Sequence, residues 1–109
     1  MKQRIVITRT LPILPEHGLV YAKYFAEQVA GGIGIEWQCD GSRITFTGGG
    51  LSTGVKGTLA VQGATFTLDV ELPLLLAAMG DTIEAEIVTR FDAIEQMALE
   101  QAKKAGGAG

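Results

Sequence analysis

Between residues 35 and 72 the chain alternates apolar and polar side chains with a period of two, in four successive segments. Ile35, Trp37 and Cys39 alternate with Glu36 and Gln38, and Ile44 and Phe46 with Arg43, Thr45 and Thr47. Val55, Leu59 and Val61 stand against Lys56, Thr58 and Gln62, and Phe66, Leu68, Val70 and Leu72 against Thr65, Thr67, Asp69 and Glu71. Successive side chains of a strand point to opposite faces, so this pattern predicts strands with one dry and one wet face. Parallel sheets are covered on both faces and read as continuous apolar runs, so the sheet is expected to be antiparallel. Asp40-Gly41 is a hairpin signal, Gly63-Ala64 marks a second turn, and Gly48-Gly49-Gly50 separates the two hairpins.

The flanking segments have other periods. Residues 3–9, with β-branched Ile5, Val6, Ile7 and Thr8, read as a first strand, and Pro12 and Pro15 break the chain after it. Pro15 is suited to the first turn of a helix, and Glu16 complements the helix dipole. Leu19, Tyr21, Ala22, Phe25, Ala26 and Val29 then share one helical arc, with Lys23 and Glu27 opposite and Gly31-Gly32 as the stop. Pro73 ends the last strand, and residues 74–79 read as a helical turn. Asp81 as N-cap and Glu84 three residues on resemble a capping box. Ile83, Ile87, Phe91, Ile94 and Ala98 form the stripe of a long C-terminal helix.

The expected fold is therefore α+β: an antiparallel meander of about five strands, in the order β-α-β-β-β-β-α, with the helices on one face. Residues 1–104 are expected to form one domain and 105–109, Gly/Ala only, a disordered tail. Phe66, Leu68, Val70, Trp37, Ile87 and Phe91 should be buried together, and Cys39 beside Trp37 should be a small core residue. Large inward residues such as Trp37, Phe46, Phe66 and Phe91 should fill the space between sheet and C-terminal helix.

Several functional classes have little support. Nine basic residues against twelve acidic ones give a net charge of −3, and the basic residues are scattered, whereas nucleic-acid binding needs a clustered basic face. No apolar run approaches the ~20 residues that span a bilayer, and no signal-peptide pattern opens the chain. The single cysteine excludes an intrachain disulfide, and a cytoplasmic location is expected. No cofactor is implied by any motif. Gly50-Leu51-Ser52-Thr53-Gly54 matches G-x-S-x-G, but that motif exposes its serine at a strand-to-helix turn, and here a strand follows. The same glycines lack the Lys-Ser/Thr and helix of a phosphate loop. His17 and Cys39 fall short of a zinc ligand set. Asp69 and Glu71, two apart on the wet strand face, read as solvated carboxylates, so no catalytic residue is assigned. Arg90 lies near the core stripe, where its stem can cover apolar surface or its head can pair with Glu86.

Two apolar features are left over. Val20 and Tyr24 point away from the core arc of the first helix, and Leu74, Leu75 and Leu76 are apolar all round their turn. Contiguous exposed apolar surface marks a contact. These five residues are the candidate contact surface, for a second copy of the chain in a homodimer or for another partner.

Particular pieces of the sequence resemble the small polyhydroxyalkanoic acid system proteins (granule-region proteins) of bacteria. They are His17-Gly18-Leu19, Trp37 with Asp40-Gly41 and Phe46, Gly54-Val55-Lys56-Gly57-Thr58-Leu59, Val70-Glu71-Leu72 and Ile83-Glu84-Ala85-Glu86-Ile87. The resemblance runs from Gly18 to Glu95 and implies association with storage-polyester synthesis or granules, with the granule surface or another protein of that system as partner. It implies no catalytic residues. The element order also looks like a shortened helix-grip (START-like) domain, whose cavity holds apolar ligands, so a small hydrophobic-ligand carrier is the alternative to a non-enzymatic accessory protein.

Overall fold

The computed structural model describes residues 3–30, 35–49 and 53–107. Strand β1 (Arg4–Thr10) leads through a 3-10 turn at Pro15–His17 into helix α1 (Gly18–Ala30). Strands β2 (Ile35–Asp40), β3 (Arg43–Gly48), β4 (Lys56–Gln62) and β5 (Thr65–Glu71) follow, then the single turn α2 (Leu74–Ala77) and the long helix α3 (Gly80–Gly107). The sheet is antiparallel throughout, in the order β1-β5-β4-β3-β2. The α+β reading holds, with β1 placed on one edge beside β5 and β2 on the other. The segment containing α1 thus carries the chain across the whole sheet.

The register shows why alternation became a two-sided sheet. Ile5, Leu68 and Leu59 lie in successive strands on the helix-facing side, with Ile44 opposite Leu59 and Val70 opposite both Ile5 and Gly57. These side chains, with Phe66 and Val61, are buried under α1 and α3. Glycines at positive φ, Gly41 at 62° and Gly63 at 61°, make the two hairpin turns without steric cost. The first hairpin's two central residues are Gly41-Ser42, one position later than the Asp40-Gly41 signal suggests, since Asp40 still pairs with Arg43.

The expected core is present in Phe66, Leu68, Val70, Ile87 and Phe91, with Trp37 half-buried against it. Cys39 is a correction: it is exposed. Its register opposite Ile44 does put it on the helix-facing side. However, β2 is an edge strand, and the helical layer leaves this end uncovered. Asp81 is a second correction. The Ile83 N–H donates to the Met79 carbonyl at 2.9 Å, so Met79 precedes the helix and Asp81 lies within its first turn. The expected first helix likewise starts later, at Gly18, with Pro15 in the 3-10 turn. Its Gly31-Gly32 stop lies outside the described residues. α3 continues through 105–107, three residues into the expected tail, because extending an existing helix adds one hydrogen bond per residue fixed.

α1 packs over β2, β3 and β4, while α3 packs on β1 and on α1. At ~1.5 Å per residue a helix of 28 residues is about 42 Å long, far longer than seven-residue strands. α3 therefore overhangs the sheet, and its residues 99–104 are exposed.

Candidate functional site

Two concave apolar regions lie along the pair of helices, one at each end. The first is a cavity of about 350 Å³ between the sheet and the N-terminal half of α3. Its origin is the distribution of large side chains. Phe25 of α1 stacks on Phe91 of α3 with ring centroids 4.2 Å apart, and Phe66 of β5 tilts against Phe91 at 6.5 Å. Three of the chain's four phenylalanines thus gather around one point, and the space toward α2 is lined mostly by aliphatic side chains, together with Phe25 and Phe46. The expectation that aromatic residues fill the gap beneath α3 is corrected accordingly.

The cavity floor is Gly57 of β4, set between Phe46 of β3 and Val70 of β5. The β4 pattern held this signal, since its core face reads Val55, Gly57, Leu59, Val61, with one apolar side chain missing. A glycine within a strand often marks space reserved for something else. Val29 and Ile35 form one wall, Ile83 and Ile87 another, and Leu72 and Leu76 close the end below α2. The rim is polar: Gln28 of α1 with Glu86 and Arg90 of α3. Arg90 forms an ion pair with Glu86 across one turn at 3.3 Å, the pairing its spacing suggests.

The second region is a wider groove of about 790 Å³ between the start of α1 and the overhanging end of α3. Ile13, Leu14 and His17 border it on one side, Val20, Tyr21 and Tyr24 form its α1 wall, and Met97, Ala98 and Gln101 its α3 wall. Val20 is 68% exposed and Tyr24 41%. The five residues expected to share one surface are divided between the two ends. Val20 and Tyr24 belong to this groove. Leu74 and Leu75, the latter 85% exposed, stand at the start of α3, and Leu76 is half-buried over the cavity. The helices run antiparallel, so Ile83 and Met97 are about 21 Å apart along α3.

The open sheet face is mainly polar, with Val6 as an exposed apolar exception. Thr45, Thr47, Lys56, Thr58, Asp69 and Glu71 line a shallow depression there. Arg4 donates through Nε to Asp69 at 3.0 Å and through its terminal nitrogen to the other oxygen. These hydrogen bonds hold the Asp69 carboxyl below the usual carboxylate range and raise the Arg4 guanidinium. Asp69 is thus a clamp between β1 and β5 on a solvated face. Among the described residues no group of three His, Cys, Asp or Glu side chains could hold a metal ion. His17 borders the groove, whereas Cys39 sits on the β2 edge. Gly50 and Ser52 of the G-x-S-x-G match lie outside the described residues.

Among the described residues no helix is long and apolar enough to cross a membrane. The model of the family described as "Putative polyhydroxyalkanoic acid system protein (PHA_gran_rgn)" matches residues 5–94. That span contains every residue lining the cavity, but it stops short of the α3 wall of the groove. No curated protein and no solved structure shows a significant match.

Proposed function

The chain belongs to the polyhydroxyalkanoic acid system protein family, and from that premise we propose a non-enzymatic accessory protein of storage-polyester metabolism that acts by binding at the polyester granule or to a protein there. The observation that carries this reading is the groove between α1 and the overhanging end of α3, where Val20 and Tyr24 leave apolar surface open to solvent. Exposed apolar patches of this kind favour a partner or an apolar phase, because covering them releases the water ordered on their surface. Leu74 and Leu75 are a separate exposed patch at the other end.

Co-sedimentation with polyhydroxyalkanoate granules, native and stripped of protein, tests the proposal. Wild type should pellet with the granules, and Tyr24→Glu should remain in the supernatant, because a charge in the groove opposes desolvation. Loss with Leu75→Glu instead would move the contact to the α2 end. Wild type that never pellets with either preparation overturns the reading.

A second reading, a small carrier for a hydrophobic ligand, is supported by the cavity under α3, whose volume of about 350 Å³ falls within the range of small-molecule sites. The helix-grip likeness behind it rests on element order alone. Saturable thermal stabilisation by acyl compounds is its test.

A further inference from the structure

Resting on the carrier reading, we infer that the cavity beneath α3 is a binding site for one medium-length acyl chain that carries an uncharged hydroxy-ester head group. Size, lining and rim each narrow the choice. At ~30 Å³ per water-sized group, about 350 Å³ accommodates roughly a dozen non-hydrogen atoms, an acyl chain of about eight carbons with its head group. The walls offer water no set of polar partners, which makes a hydrocarbon chain the better occupant.

The floor sets the depth. A Cβ on Gly57 would meet Val70 Cγ2 at 3.3 Å and Phe46 Cδ2 at 3.5 Å, so any longer side chain there has to extend into the cavity. The rim sets the head group. Arg90 and Glu86 form an ion pair at 3.3 Å, and their charges cancel. A free carboxylate would gain Arg90 but face Glu86, and an amine would meet the reverse. A hydroxy ester leaves the pair intact: its carbonyl accepts from Arg90 or Gln28, and its hydroxyl donates to Glu86. The family description names a polyhydroxyalkanoic acid, a polyester whose repeating unit has this chemistry, and all the lining residues fall within the matched span.

Thermal-shift titrations with methyl 3-hydroxyoctanoate, sodium octanoate and methyl 3-hydroxybutyrate distinguish the possibilities. The first should raise the midpoint saturably, by roughly 5 °C or more at about ten times its Kd. Octanoate, which brings a charge toward Glu86 and lacks the hydroxyl, should bind about 10-fold more weakly. The hydroxybutyrate, too short to reach the floor, should give no shift. Gly57→Leu, checked for folding by circular dichroism, should abolish the shift. If it does not fold, Ile83→Phe narrows the same cavity from the helix side and should do likewise. Absence of any shift with all three compounds overturns both this inference and the carrier reading. Octanoate binding as tightly as the ester overturns the head-group assignment and leaves a carrier. Undiminished binding by the folded cavity-filling variant overturns the site, again leaving a carrier.

Discussion

At Phe91 three elements share one contact, with the ring stacked on Phe25 of α1 and tilted against Phe66 of β5. Arg9, on the helix-facing side of β1, places its guanidinium carbon 5.8 Å from the Phe91 ring centroid and pairs with Asp92. Phe91→Ala should therefore cost about 3–5 kcal/mol in urea unfolding, and Leu68→Ala about 2–5 kcal/mol, through lost burial and a cavity. A near-neutral Leu68→Ala would mean that its strand face is not the core. Asp69 supplies a pH dependence. Its carboxyl is depressed in the folded state, so the stability from its bonds to Arg4 is present above the unfolded value of about 4 and lost as pH falls through the lower folded value. Arg4→Met should destabilise the protein near neutral pH, and the difference from wild type should shrink in unfolding curves taken at progressively more acid pH. Cys39 makes a simpler case. Being exposed, it should react with a thiol reagent in the native protein about as fast as in urea, whereas a buried thiol would be protected.

At the scale of elements, the packing of α1 on the β4–β5 hairpin depends on a residue without a side chain. Gly18 is buried at the first position of α1, and a Cβ there would stand 1.8 Å from the Gly63 carbonyl oxygen. Its backbone is ordinary right-handed helix, so the constraint is close approach rather than conformation. Gly18→Ala should force the helix off the hairpin and cost at least about 1–3 kcal/mol, measured as a lower urea midpoint. His17-Gly18-Leu19 was among the pieces carrying the family resemblance, but nothing in one sequence says what Gly18 touches. The α3 stripe was readable from its period. Its start was not, because Asp81 and Glu84 satisfy the capping pattern while Met79 supplies the first accepting carbonyl.

On the scale of the whole molecule, α3 is longer than the sheet it covers, and the groove under its overhang leaves Val20 and Tyr24 exposed. Covering Val20 and Tyr24 with a second copy would bury apolar area at both walls of the groove. We expect a homodimer through this surface, and sedimentation equilibrium on wild type and Tyr24→Glu checks it. Wild type monomeric at high micromolar concentration overturns the dimer, and a Tyr24→Glu protein that still dimerises assigns it to another surface.

Periodicity by itself determined the strands of the meander, their antiparallel sense, the amphipathic helices and nearly all of the core, because these follow from which side of each element must avoid water. The pairing of β1 with β5 came from tertiary structure, since alternation says which face of a strand is dry and nothing about its neighbour. So did the exposure of Cys39, whose register is inward at an edge that the helices do not reach. The candidate sites divide in the same way. Val20, Tyr24, Leu74 and Leu75 were legible as apolar residues off the core arcs, but the antiparallel helices set them at opposite ends of α3. The cavity was the least legible of all, because it depends on a side chain that Gly57 lacks and on how tightly the rings of Phe25, Phe66 and Phe91 draw together beside it.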